Sequence, residues 1–171
     1  MTEQPMFPMI SGSLSESPLH GASNIEELIS KIASQAELLI AEDGTIGTVT
    51  FLINEQNLCS VMYNFELDIP TMLEYNLAVA AVLQRYPSQF YGRVISLNLI
   101  LNNKETQEAI CIGAGDLRSG EFCHRTIMVM RNEEDNSVRS LFRNDNNPWS
   151  PEKDGIDFLL GRCIVTGDIY E

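Results

Sequence analysis

Residues 93–142 alternate β-rich runs with short polar connections: runs at 93–101, 106–112, 121–131 and 138–142, broken by Asn102-Asn103-Lys104-Glu105, Gly113 to Gly120 and Asn132 to Asn136. A parallel return needs a crossover of a dozen or more residues, so connections this short call for antiparallel neighbours. The natural arrangement is a meander.

The preceding part of the chain supplies the helices. Ile25, Leu28, Ile29, Ile32, Ala36 and Ile40 recur at three- and four-residue steps with polar residues opposite, the pattern of a helix with one buried stripe. Ser23 followed by Glu26 reads as its capping box, and Glu42-Asp43-Gly44 as its end. A hairpin follows, with strands at 46–53 and 58–65 joined by Asn54-Glu55-Gln56-Asn57. Pro70 suits the first turn of a second helix that Pro87 stops. Residues 77–83 are apolar nearly all round, so this helix is expected beneath the sheet or at a subunit interface. A helical turn at 154–160 and a strand at 162–169 close the chain.

The order lacks the regular βαβ alternation of a parallel sheet. It predicts an α+β fold in a single domain, 23–171: a mostly antiparallel sheet of about seven strands, with helices at about 24–42 and 70–86 packed on one face. Residues 1–22, rich in proline and serine, read as a flexible N-terminal arm. Met6, Phe7, Met9 and Ile10 are the exception within it. They either fold back on the domain, stay mobile, or form a short docking segment for a partner.

Composition narrows the function. The 171 residues suffice for one self-supporting core. A formal charge of −13 opposes binding to a phosphate backbone and favours a basic partner. No apolar run reaches the roughly 18 residues that span a bilayer, and no secretory leader is evident, so the expected location is the cytoplasm. Cys59, Cys111, Cys123 and Cys163 are too scattered for a disulfide framework and contain no C-x-x-C pair. No metal site and no cofactor are expected. Gly113-Ala114-Gly115 follows a strand but precedes no helix, which favours a hairpin turn over a phosphate loop.

Cys123-His124 pairs a nucleophile with a base in sequence, yet strand neighbours point to opposite faces. A more specific constellation depends on register. Centring one hairpin on Leu117 sets Cys111 opposite Cys123, Ile110 opposite His124 and Glu108 opposite Thr126. Centring the other on Asn103-Lys104 sets Leu99 opposite Glu108. Glu108, His124 and Thr126 then form a polar island on a core face, with His124 as base and Glu108 as its orienting partner or a second acid. A slip of one residue would scatter them.

Trp149 in its polar loop, together with Arg125, Arg131 and Arg139, is the candidate partner-binding set, since tryptophan and arginine anchor interfaces. The leading expectation is a non-catalytic intracellular binding protein that recognises a protein partner, as an adaptor, chaperone, inhibitor or immunity-type protein does. Homodimerisation through the second helix or the sheet is a secondary expectation. The competing reading is a small-molecule-binding domain or acid–base enzyme around Glu108, His124 and Thr126. An acidic mimic of nucleic acid is the third.

Overall fold

The computed structural model describes residues 7–63, 69–100 and 104–144. Its strands are β1 (Met9–Ser13), β2 (Thr48–Ile53), β3 (Asn57–Tyr63), β4 (Phe90–Ile100), β5 (Thr106–Asp116), β6 (Phe122–Arg131) and β7 (Val138–Asn144). Two helices, α1 (Ile25–Asp43) and α2 (Ile69–Arg85), interrupt them. The seven strands make one sheet in the order β1-β3-β2-β4-β5-β6-β7, with every neighbouring pair antiparallel. The α+β class and the β4–β7 meander are as the sequence predicts.

Several expectations change. Residues 7–22 are no free arm: β1 pairs with β3, a 3-10 turn follows at Leu14–Glu16, and Leu19 is buried beside α1. Phe7 rests its ring 5.7 Å from that of Tyr63 and 5.4 Å from that of Tyr75. The apolar side chains scattered through this stretch are enough to fold it back on the domain. The strand and helical turn expected at 154–169 lie outside the described residues, so the first strand of the sheet is one that the composition of the arm concealed.

The helices also take opposite faces. Phe90 and Val94 join α1 residues in one core, whereas their neighbours Tyr91 and Ile95 join Met72, Tyr75 and Val79 of α2 in another. Adjacent strand residues point to opposite sides. One sheet therefore separates two cores. A sheet apolar on both surfaces needs cover on both, which two helices on a single side would not give.

Helix α1 is held at both ends. The Asn24 side chain caps it by accepting from Glu27 N–H at 2.9 Å, one residue later than the Ser23 cap expected from sequence. Glu27 reaches back to the Ser23 N–H at 2.9 Å and hydroxyl at 3.0 Å, and these bonds lower its pKa. Gly44 closes the helix at φ +77°, donating its N–H to the Ile40 carbonyl at 2.9 Å. Helix α2 is less enclosed than its composition suggests. Met72, Tyr75, Asn76 and Val79 are buried, while Leu77 is 56% exposed.

In Gly113-Ala114-Gly115 the last glycine serves packing. All three residues lie in β5, where Gly113 is opposite Arg93 and Gly115 opposite Tyr91. A Cβ on Gly115 would fall 2.3 Å from Cε1 of the buried Tyr91 ring. The absent side chain of Gly115 accommodates Tyr91, one of the largest fully buried residues among those described. Gly115→Ala should therefore destabilise the fold by about 1–3 kcal/mol, because the enclosed ring must shift. Gly12→Ala, whose new Cβ meets nothing within 4 Å, should change stability by less than about 0.5 kcal/mol. Urea denaturation of both variants checks the contrast.

Candidate functional site

The register disperses the polar island. In the β5–β6 hairpin Cys111 lies opposite Thr126 and Gly113 opposite His124, a three-residue displacement from the predicted pairing. In β4–β5, Asn98 lies opposite Glu108 and Ser96 opposite Ile110, a displacement of one. Odd shifts exchange faces. Glu108 consequently lies on the α1 face, while His124 and Thr126 lie on the other. The cause is a longer β5 than predicted, which runs through the glycines to Asp116 and moves the turn to 117–121.

Each member of the island has other company. The His124 ring stacks near Phe122, with centroids 6.1 Å apart. Thr126 is buried beside Cys111 and hydrogen-bonds to it. Burial pushes the Cys111 thiol up to about 11, with that hydrogen bond a partial offset. Cys123 is likewise pushed up to about 11, by burial and then by the Glu26 carboxylate. Its Sγ faces α1, 3.8 Å from the Ile25 carbonyl, and so points away from His124. Neither thiol is activated for attack, which needs a lowered pKa and access. Among the described residues no group of three or more His, Cys, Asp and Glu side chains is placed to hold a metal ion.

Glu108 instead takes Arg131 in a forked pair, with Nε to Oε2 at 2.6 Å and Nη2 to Oε1 at 2.8 Å. Arg131 Nη2 also donates to the Gly44 carbonyl at 2.6 Å, and Nη1 to the Asn136 carbonyl at 2.9 Å. Its guanidinium pKa rises, chiefly through the bond to Glu108. Arg125 binds Glu26 at 2.7 Å, and Arg143 binds Glu37. These three arginines fasten β6 and β7 to the first turn, the middle and the C-terminal end of α1. Of the predicted partner-binding residues, Arg125 and Arg131 are engaged within the chain. Arg139 is exposed on β7 at the bulge beside Arg131. Trp149 lies outside the described residues.

A second polar cluster went unrecognised in the sequence. Arg93 is fully buried beneath α2, where Nε donates to Thr50 Oγ1 at 2.7 Å and Nη1 to Asn76 Oδ1. The Tyr75 hydroxyl donates to the Val61 carbonyl at 2.6 Å and is hydrogen-bonded to the Thr50 hydroxyl at 2.8 Å, and its ring lies 4.9 Å from the Arg93 guanidinium carbon. Burial raises the Tyr75 pKa, against the effect of the nearby Arg93 charge. The only sequence signal is an arginine within a strand-like apolar run, a pattern that equally fits an exposed strand residue.

The accessible features lie at the other end of the sheet. β1 is its terminal strand, and all five of its residues are exposed, Ile10 at 62% and Met9 at 43%. Beside it a pocket of about 400 Å³ is lined by Ser11, Ser13, Leu52, Asn54, Cys59 and Tyr86 among others. Asn54 is held in place by its own turn, accepting from Gln56 N–H at 2.9 Å and Asn57 N–H at 2.6 Å.

No protein-family model matches the chain, and neither a curated protein nor a solved structure shows significant similarity to it.

Proposed function

We propose that this protein is a non-catalytic binding protein that recognises a protein partner of basic character. The observation that carries the reading is the outer edge of β1, which is exposed throughout, uncharged and flanked by the apolar side chains of Met9 and Ile10. Proteins ordinarily protect a sheet edge with charge, proline or a bulge, and β1 contains none of these between Met9 and Ser13. The basic character of the partner follows from charge: residues 1–63 hold eight Asp and Glu side chains against one lysine. Arg139 and the Trp149 loop remain secondary contact candidates within the same reading, as does self-association through α2, where Leu77 is exposed.

The described structure has no helix long and apolar enough to cross a membrane. Cys59, Cys111 and Cys123 are free thiols, which suits the reducing cytoplasm as the place of action. The acid–base alternative loses its support with the separation of Glu108 from His124 and Thr126. The nucleic-acid mimic rests on net charge alone.

Native mass spectrometry of the protein purified from its own host tests the proposal. A stoichiometric protein partner that dissociates as salt rises is the expected result. A retained small molecule with no protein partner would overturn it.

A further inference from the structure

Helix α2 covers only part of its side of the sheet. Its core joins Leu52 of β2, Val61 of β3 and Tyr91 and Ile95 of β4, and beyond β4 it reaches only Leu117 and Phe122 beside the β5–β6 turn. A helix about 10 Å across covers about two strands set about 4.8 Å apart, so one helix cannot roof a seven-stranded sheet.

The same side of β5, β6 and β7 has its own make-up. The register sets Ala109, Met128 and Phe142 in one row across it. From Gln107 to Gly113, His124 to Met130 and Ser140 to Phe142, the side chains on this side include no carboxylate, lysine or arginine. An antiparallel sheet face left to water ordinarily carries polar side chains in alternation. Here Ala109 and Cys111 are buried outside both cores, and Phe142, at the end of the row, is 63% exposed. Such a face calls for a covering layer.

The chain continues from the margin of that face. Asn144, the last described residue, pairs with Thr126. In the residues that follow, Ile156, Leu159 and Leu160 recur at the three- and four-residue steps of a helical stripe, and Cys163, Ile164 and Val165 form a further apolar run. At roughly 3.5 Å per residue the link 145–155 spans up to about 40 Å, several times the breadth of three strands. Tethering by a link this short sets an effective concentration of about a millimolar. A second copy of the chain has no tether, and it would bring a charge of −13 against a charge of −13.

We infer that residues 145–171 fold back over the α2 side of β5, β6 and β7 and complete the layer that α2 begins, with Ile156, Leu159 and Leu160 seated on the row from Ala109 to Phe142. The inference goes beyond the protein-binding reading and does not rest on it. Met128 in that row suits the task, since an unbranched thioether side chain adapts to the shape packed against it.

Hydrogen exchange with mass detection on the full chain tests the inference, with a free peptide of residues 145–171 as the reference. In the wild type the amides of residues 156–165 should exchange at least tenfold more slowly than in the peptide. Phe142→Asp puts a charge on the face at an exposed position, and Leu160→Asp puts one in the segment. Each should return residues 156–165 to the peptide rate, while α1 and β4 keep their protection.

Exchange at the peptide rate in the wild type would overturn the inference. Protection that survives either substitution would do the same, since the segment would then lie elsewhere or be held by other residues. Protection that falls on dilution, together with a dimer in native mass spectrometry, would give the face to a second copy.

Discussion

Arg93→Ala should destabilise the protein by about 3–5 kcal/mol, the largest loss expected of any single polar substitution among the described residues. Two bonds from a cation, each worth roughly 1.5–3 kcal/mol, disappear at a fully buried position. Truncation also leaves a cavity against Tyr75 and Met72, and takes the charge from beneath the Tyr75 ring. For a chain of this size the thermal midpoint should fall by roughly 10 °C. Arg93→Lys should recover only part of the loss, because one ammonium cannot reproduce a fork aimed at both Thr50 and Asn76. If both variants melt within a degree or two of the wild type, the cluster does not anchor α2 to the sheet.

Alkylation of Cys111 and Cys123 by iodoacetamide near pH 8 should be about a hundredfold slower in the folded protein than in urea. A thiol at about 11 in place of 9.0 holds about a hundredfold less thiolate at that pH, and the burial of Cys111 slows attack further. Peptide mapping with mass detection resolves the sites. The same pKa values set the direction of alkaline unfolding. Both thiols titrate higher in the folded chain, so their contribution to stability is complete below about pH 9 and is lost as pH rises through about 11. The melting temperature should decline across that interval. Rapid modification of Cys123 at neutral pH would instead revive it as a nucleophile beside His124.

The site that replaces the predicted island differs from it in kind. Glu108, His124 and Thr126 promised proton transfer between side chains. The β1 edge offers backbone groups and a pocket without a charged lining residue, which suit recognition of an extended segment and provide no base. The arginines changed meaning in the same way. Pairs with Glu26 and Glu37 fasten α1 to the sheet, the fork with Glu108 ties β6 to β5, and the exposed pairs among them contribute at most about 1 kcal/mol each.

Local patterning was sufficient where one residue period dominates. The stripe from Ile25 to Ile40 determines α1 and its buried face, Pro70 and Pro87 bracket α2, and turn residues separate β4, β5, β6 and β7. The antiparallel order followed, because the connections are too short for anything else. Even the Asn24 cap lay within one residue of its predicted place.

Register was beyond local reading, since β5 continues through two glycines that sequence logic assigns to a turn. The reason Gly115 belongs in a strand, the Tyr91 ring across from it, lies in β4 and is visible only once the strands pair. Every consequence of that pairing, from the separation of Glu108 and His124 to the position of Cys111, was likewise out of reach. The faces chosen by the helices and the capture of residues 9–13 as an edge strand depend on which apolar surfaces remain uncovered after the sheet forms. Period and turn chemistry act over a few residues and are written in the sequence; pairing and burial are set between distant segments, and only the tertiary structure decides them.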